Sequence, residues 1–560
     1  MPTVSGGDVT IHWDVRIAMR DGVQLSATVY RPRQPVTPSH CILTLTPYNA
    51  DRYHSQAKYF AAHGRPFVIV DSRGRGNSQG AFKPYIQEAQ DGHDCVEWLA
   101  GQPYCNGQVA MWGGSYAGHA QWMAARERPK ALRTIVPTAA PWLGIDFPMR
   151  NNISYPYILQ WIALTWGRAT QNLVFGDRAL WSALFHSWIE SGRPFRDLDI
   201  AVGLPSELFQ EWIAHPELDA YWDAHNPSDE AYARIDIPVL TITGAYDDDQ
   251  AGALEHYRRH LRASRTGSRN HYLVIGPWDH YRSGTPALNF AGITVGPESL
   301  VDLLKLQREW YAWTLEGGPK PEFLRARVAY YVMGSDRWRY APSLEAVTTR
   351  HLTYFLAPGR LQDEPAAGTP DEYCYDPTTT SSPQAAAELR ADPESVLDET
   401  LIIALADRVI RYQTPPLERE TEIAGFFRLR AWISIDTPDT DLYATVYEVL
   451  PDGTAIRLAS DAIRARYRES LRSPSLIRST EPLLYDFRRF TFVARTLRVG
   501  SSLRLVLAPL GRPVDAAFWQ PNFNSGGVIS QENRACGRAV TVRLFHDADR
   551  QSVLEVPIGT

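Results

Sequence analysis

Short, uninterrupted apolar runs constrain this chain more than any other feature. They are Cys41-Ile42-Leu43, Phe67-Val68-Ile69-Val70, Val109-Ala110-Met111-Trp112, Ile135-Val136, Val239-Leu240-Thr241-Ile242 and Tyr272-Leu273-Val274-Ile275. Runs of this length without polar alternation are strands buried on both faces. Helical patterns lie between several of them, for instance Asp91 to Leu99 and Leu254 to Leu261. Strands alternating with helices predict an α/β architecture, a parallel sheet covered by helices on both sides. Ahead of the first run, Ile11, Trp13, Val15 and Ile17 alternate with polar residues, and Val23, Leu25, Ala27 and Val29 resume the pattern after Asp21-Gly22. That is a β-hairpin signature.

The α/β alternation stops between about Pro141 and Asp236. That stretch carries no strand signal but is helical and rich in aromatics, with Trp142, Phe147, Trp161, Trp166, Phe175, Trp181, Trp188 and Trp212. It reads as a helical cap inserted into the sheet domain. Most of these rings would form the insertion's own core, and some should line a substrate pocket at the strand ends. Beyond residue 345 the period becomes that of strands, after a Pro-rich loop from Pro358 to Pro383. Phe427 to Ile435, Leu442 to Val449 with its Pro451-Asp452-Gly453 turn, Leu503 to Leu507, and Val553 to Val556 all alternate. Many short strands with turn signals predict a β-sandwich or jelly roll. The expected organisation is a sheet domain in two parts, residues 1–140 and 237–344, a helical cap at 141–236, and a C-terminal jelly roll at 345–560.

Bulk properties exclude several classes. A formal charge of -6 over 560 residues offers no electrostatic footprint for nucleic acid. Met1 to Trp13 has neither a basic nor an apolar leader region, and the longest apolar stretch, Ile153 to Trp166, is broken by Pro156, Gln160 and Thr165. No membrane segment is expected. Five scattered cysteines fit neither a disulfide framework nor a zinc pattern, so a cytoplasmic location and a metal-free site are expected. The run Gly74-Arg-Gly-Asn-Ser-Gln-Gly80 lacks the Gly-Lys-Ser/Thr ending of a phosphate loop, and Gln79 replaces the third glycine of a dinucleotide fingerprint. It reads as structural.

The chemistry concentrates where the strand at Val109 runs into Gly113-Gly114-Ser115-Tyr116-Ala117-Gly118 and a helix follows through Trp122 and Met123. A nucleophile elbow holds its serine in a strained backbone at a strand-to-helix turn, so its neighbours two residues away must be small. Gly113 and Ala117 meet that need. The new helix presents the Tyr116 N–H to a developing oxyanion. A serine needs a general base, and the base needs an orienting carboxylate, in the chain order Ser, Asp, His. The strand at Val239 ends in Tyr246-Asp247-Asp248-Asp249, and the strand at Tyr272 ends in Gly276-Pro277-Trp278-Asp279-His280. Ser115, Asp247 and His280 are therefore the candidate triad of an α/β-hydrolase, with Asp248 as the alternative acid.

Pro47-Tyr48, Asp71-Ser-Arg-Gly-Arg75, Gly114-Ser-Tyr116, Tyr246-Asp247, Gly276-Pro-Trp-Asp-His280 and Asn522-Phe-Asn-Ser-Gly526 together resemble one family. It contains bacterial cocaine esterase, the α-amino-acid ester hydrolases, cephalosporin acylases and X-Pro dipeptidyl peptidases. The motifs span nearly the whole chain, so the resemblance implies the same three-part architecture. It also implies that the Tyr48 hydroxyl is the second oxyanion donor, and it makes a homodimer plausible. Some relatives hold a substrate ammonium with carboxylates. Asp146, Asp248 and Asp249 could do so here, although Gln250 stands near where a further acid is expected. Trp142, Phe147, Trp161, Trp166 and Trp278 are the candidate aromatic contacts. The reading is a cofactor-independent serine hydrolase cleaving a small-molecule carboxylic ester. An amide or peptide hydrolase and an acyltransferase use the same triad and stay open; a non-catalytic binding protein would give that triad no reason to exist.

Overall fold

The N-terminal alternation produces a hairpin, β1 (Val9–Ala18) against β2 (Gln24–Pro32), closed by a turn with Gly22 at φ 85°. The protein is seen here as a computed structural model that describes residues 8–34, 37–264, 270–290, 292–365, 367–379, 409–509 and 520–559. Met1–Gly7 and the Pro383 end of the expected loop lie outside the described residues.

Each of the six apolar runs is a strand: β3 (Ser39–Thr46), β4 (Phe67–Asp71), β5 (Cys105–Gly114), β6 (Leu132–Thr138), β7 (Val239–Tyr246) and β8 (His271–Asp279). Two more, β9 (Val328–Val332) and β10 (Arg337–Ala341), complete one ten-stranded sheet among the described residues, in the order β1-β2-β4-β3-β5-β6-β7-β8-β9-β10. Pairing is parallel from β4 through β9 and antiparallel at both margins. The burial of β4, with all five residues inaccessible, is what a strand covered on both faces requires.

Helices α1 (His54–Ala62) and α2 (Glu88–Ala100) flank the first strands. α3 (Tyr116–Arg126) follows β5 at once, and ten of its eleven residues are buried, so it crosses the centre of the sheet. Between β6 and β7 the chain forms the cap, with α4 (Tyr157–Leu164) and further helices at Arg178–Ser191, Glu207–Ile213 and Ala220–Ala224. A hairpin of two-residue strands, Met149–Arg150 with Ile153–Ser154, sits inside this stretch, where no strand was expected. Such a pair is too short to carry a periodic signal. α5 (Gln250–Ala263) and α6 (Leu303–Glu316) complete the layer. Cap aromatics and sheet share one core, in which Trp161, Trp212 and Trp222 pack with Ile42, Val136 and Ile242.

From Arg350 onward the described strands belong to a second, thirteen-stranded all-β assembly with its own core around Leu429, Ile433, Leu505 and Val542. The Pro-rich stretch is not a plain loop: Arg360–Gln362 and Asp371–Tyr375 are strands, the latter paired with Val540–Phe545. Its described prolines, Pro358, Pro365, Pro370 and Pro377, fall outside the paired residues, where a missing N–H costs no ladder bond. A third cluster joins the two assemblies, packing Leu254 and Tyr257 of α5 and Ile275 of β8 against Ala424, Phe492 and Ala494. Among the described residues no helix is long and apolar enough to cross a membrane.

Candidate active site

Ser115 occupies the turn between β5 and α3 with φ 57° and ψ -125°. A non-glycine residue held there costs about 1–3 kcal/mol and persists only where its surroundings over-determine it. They do. The Ser115 N–H donates to Thr138 O at 2.9 Å, while Gly118 N–H and His119 N–H donate to Ser115 O at 2.8 and 3.0 Å. A methyl group built on Gly113 would lie 2.6 Å from the Ala117 Cβ. Positions 113 and 117 thus face each other, and alanine is admitted at 117 because 113 has no side chain. Gly118 packs on the end of β6, where a Cβ would meet Thr138 O at 2.8 Å.

Asp247 and His280 extend from the adjacent ends of β7 and β8. His280 Nδ1 lies 2.8 Å from Asp247 Oδ1. The Asp247 carboxylate is fully enclosed and also accepts from Thr243 Oγ1 at 2.7 Å and Asp249 N–H at 3.0 Å. Asp248 turns outward and is exposed. Asp249 Oδ2 stands 3.7 Å from His280 Nδ1. Burial opposes charge on His280, but Asp249, then the Asp247 hydrogen bond and charge, and then Asp248 raise its pKa to about 10. Burial in turn drives the Asp249 carboxyl well above its ordinary range.

Tyr48 follows the end of β3 and points its hydroxyl into the same region. The Tyr48 oxygen accepts the Trp161 Nε1–H at 3.0 Å. Burial lifts its pKa to about 12, partly offset by the Trp161 donor, so the hydroxyl keeps its proton. The Tyr48 turn is fastened by Arg75, whose Nε donates to Pro47 O at 2.9 Å and whose Nη1 donates to Thr165 O at 2.5 Å and to Gly167 O. The glycine-rich run after β4 therefore brackets the Tyr48 loop to the end of α4. Tyr116, whose N–H opens α3, is fully buried; its hydroxyl donates to Glu88 Oε1 and accepts Tyr85 N–H at 3.0 Å.

The expected aromatic contacts separate into two groups. Phe147 and Trp161 come together with Tyr85 and Trp212, with ring centroids 5.4–5.8 Å apart, and Trp161 stacks over Tyr116 at 6.2 Å. The others lie elsewhere. Trp166 is half exposed on the cap surface, at 48%. Trp278 is fully enclosed against Gly276 and Trp338 and donates to Ser299 O at 3.3 Å, so it braces the β8 loop. Trp142 is buried beneath Arg259, 4.7 Å from its ring centroid. Asp146 is 3% exposed, and its carboxylate accepts Trp142 N–H at 3.0 Å and Gly252 N–H, which ties the cap entrance to α5. Those bonds engage the oxygens an ammonium ligand would need.

Three supporting residues had no sequence signal. Tyr85, at φ 68° between Trp161 and Tyr116, and Glu88 are assembled only by the fold. Gln250, conspicuous only as a departure from the acid expected nearby, is 1% exposed and joins the end of β7 to the β assembly. Its Nε2 donates to Gly244 O and Ala245 O, each at 3.0 Å, and its Oε1 accepts Phe492 N–H from the β assembly at 2.7 Å.

A parallel sheet carrying a serine at a strained strand-to-helix turn, with a histidine–aspartate pair at neighbouring strand ends, is the frame of a serine hydrolase of the α/β-hydrolase fold. Residues 21–282 match the X-Pro dipeptidyl-peptidase (S15 family), and residues 324–509 match the X-Pro dipeptidyl-peptidase C-terminal non-catalytic domain. The chain belongs to this family of serine hydrolases. Cocaine esterase of Rhodococcus sp. is 25% identical, with 99% of each chain covered. Two solved structures superpose with TM-score 0.84 at 21% identity, covering 100% of this chain and 98% of theirs. One is an aminopeptidase from a marine sediment Thaumarchaeota archaeon and the other an α-amino acid ester hydrolase, and they speak to the fold.

Proposed function

We propose that the chain hydrolyses a carboxylic ester of a small molecule through an acyl-enzyme on Ser115. The observation that carries this reading is the pairing of the strained Ser115 turn with the 2.8 Å His280–Asp247 contact. Asp247 engages Nδ1, which leaves His280 Nε2 to take the Ser115 proton as the oxygen attacks the carbonyl carbon. The oxyanion is received by the Tyr116 N–H and the Tyr48 hydroxyl. Because Trp161 donates to the Tyr48 oxygen, the tyrosine's own proton is free to point at the developing charge. His280 returns its proton to the leaving alkoxide, and water releases the acid by the same route.

Ester specificity is favoured by the cocaine esterase likeness, which runs the length of both chains. A second reading, cleavage of an amide or peptide, is favoured by the S15 match. Burst kinetics with p-nitrophenyl esters of graded acyl size, beside amino-acyl anilides, separate the two. An ester burst that vanishes in Ser115→Ala is expected. Turnover retained in that variant overturns the nucleophile, and activity on anilides alone overturns the ester.

A further inference from the structure

A cleft of about 460 Å³ lies away from the Ser115 turn, where α5, the cap hairpin and the β assembly meet. Its walls carry Arg258, Arg488 and Arg489 together with Glu255, Asp461 and Asp486. The charges are not matched across it. Glu255 is paired with Arg259 at 2.7 Å. Asp461 accepts Asn151 Nδ2, its neighbour Ala462 N–H and Arg489 N–H at 2.7–2.9 Å. Asp486 is held in a two-pronged contact by Arg428, both bonds 2.9 Å, and pairs across the wall with Arg488 at 3.6 Å. The remaining wall pairs, Arg468 with Glu469 at 2.8 Å and Arg464 with Asp441 at 2.8 and 2.9 Å, are likewise closed.

Two guanidinium groups are left over. Arg258 lies over the Phe426 ring, 4.6 Å from its centroid, and among the described residues it makes no hydrogen bond and no ion pair. The Arg489 side chain is exposed and, among the described residues, has no carboxylate within ion-pair distance, Asp461 feeling its charge from farther off. Burial lowers the pKa of Arg258; Glu255 and Glu345 act against that shift, and the Arg489 charge acts with it. Stacking on a ring fixes the plane of a guanidinium and leaves its N–H edge free. A planar donor edge of that kind pairs with carboxylate and phosphate oxygens in two parallel bonds. A cleft of this volume is in the range that holds small ligands.

We infer that this cleft is a binding site for a small oxyanion-bearing molecule, held by Arg258 and Arg489 with Arg488 at the rim. The ligand is recognised by its phosphate or carboxylate group, and it bridges α5 to the β assembly. The site is separate from the ester chemistry. Neither arginine is part of the Ser115 machinery, so its occupancy can be read independently of turnover.

The test is a thermal-melt and calorimetric titration of the full chain with inorganic phosphate, and separately with citrate, at ionic strength held constant with sodium chloride. A saturable rise in melting temperature with one or both anions is expected, and the anion that saturates at lower concentration identifies the preferred group. Arg489→Gln, an exposed change that leaves the core untouched, should weaken binding about ten- to a hundredfold, as loss of charge-assisted bonds does. Arg258→Gln should do the same, and ester turnover should persist in Arg489→Gln. A rise that grows linearly without saturating, as general salt exclusion gives, overturns the site. So does an equal rise in Arg489→Gln.

Discussion

Trp161 was expected to touch substrate, yet its indole N–H is directed at the Tyr48 oxygen, 3.0 Å away. On the mechanism proposed above, this makes it a positioning residue for the oxyanion donor, with a quantitative signature. Tyr48→Phe removes a donor to the oxyanion, a loss that in comparable sites costs about 10²–10³ in rate. Trp161→Phe keeps most of the ring packing against Tyr85 and Phe147 but deletes one neutral hydrogen bond. A bond of that kind contributes about 1 kcal/mol, so acylation should slow about fivefold. Because Trp161 acts through Tyr48, its effect should disappear where position 48 is already phenylalanine. The assay is the pre-steady-state acylation rate with a p-nitrophenyl ester for wild type, both single variants and the double variant. The coupling term should equal the whole Trp161→Phe effect. If Trp161→Phe slows the Tyr48→Phe enzyme by the same factor as the wild type, the reasoning fails.

Three further outcomes follow from the geometry. Asp249 is the largest contributor raising the His280 pKa, and a general base works only when neutral, so kcat/KM should rise with pH along a limb above the ordinary histidine value of about 6.5. Asp249→Asn should move that limb to lower pH; an unmoved limb in the pH–rate profile counts against the assignment. His256 and His271 are buried neutral against Trp122, and His119 lies buried neutral beside His256, with His256 held down to about 3 and the other two well below their usual value by burial. Their folded pKa values are depressed, so their contribution is intact above pH about 6.5 and is lost as pH falls, by about 2 kcal/mol each between pH 7 and 5; urea unfolding at the two pH values should show it. Finally, Gly113→Ala should destabilise the protein and abolish turnover, because the new methyl collides with Ala117, whereas adding Ala117→Gly should restore part of the melting temperature.

The legible parts of this chain were those governed by neighbours in sequence. Six apolar runs became six sheet strands, and Ser115, Asp247 and His280 fall just past the ends of β5, β7 and β8 because a parallel sheet brings such ends to one edge. The elbow was readable even with alanine at 117, since its steric rule concerns residues two positions apart. What stayed hidden depends on partners brought together from far along the chain. Trp161 and Tyr48 are 113 positions apart, and Arg75 reaches Thr165 across 90. No local pattern distinguishes a tryptophan that lines a pocket from one that orients a tyrosine. The aromatic-rich cap therefore suggested several substrate contacts, while Trp142, Trp166 and Trp278 were placed in core, on surface and under a loop. Asp146 misled for a related reason: an acid near a site looks like a ligand for cations until its backbone partners are seen.

Gln250 gives the division of labour in this chain a different meaning. The loop carrying Asp247 is closed from one side by the strand that precedes it and from the other by the backbone of Phe492, with a single amide side chain spanning both. The β assembly, made of residues that perform no chemistry, is thereby part of the wall against which the acid of the site is set. A protease cut or a gene truncation that removed it would not merely shorten the enzyme. It would leave the Asp247 carboxylate on a loop with one of its two anchors gone, and exchanging this region between relatives would succeed only where the incoming strand presents its peptide group at the same point.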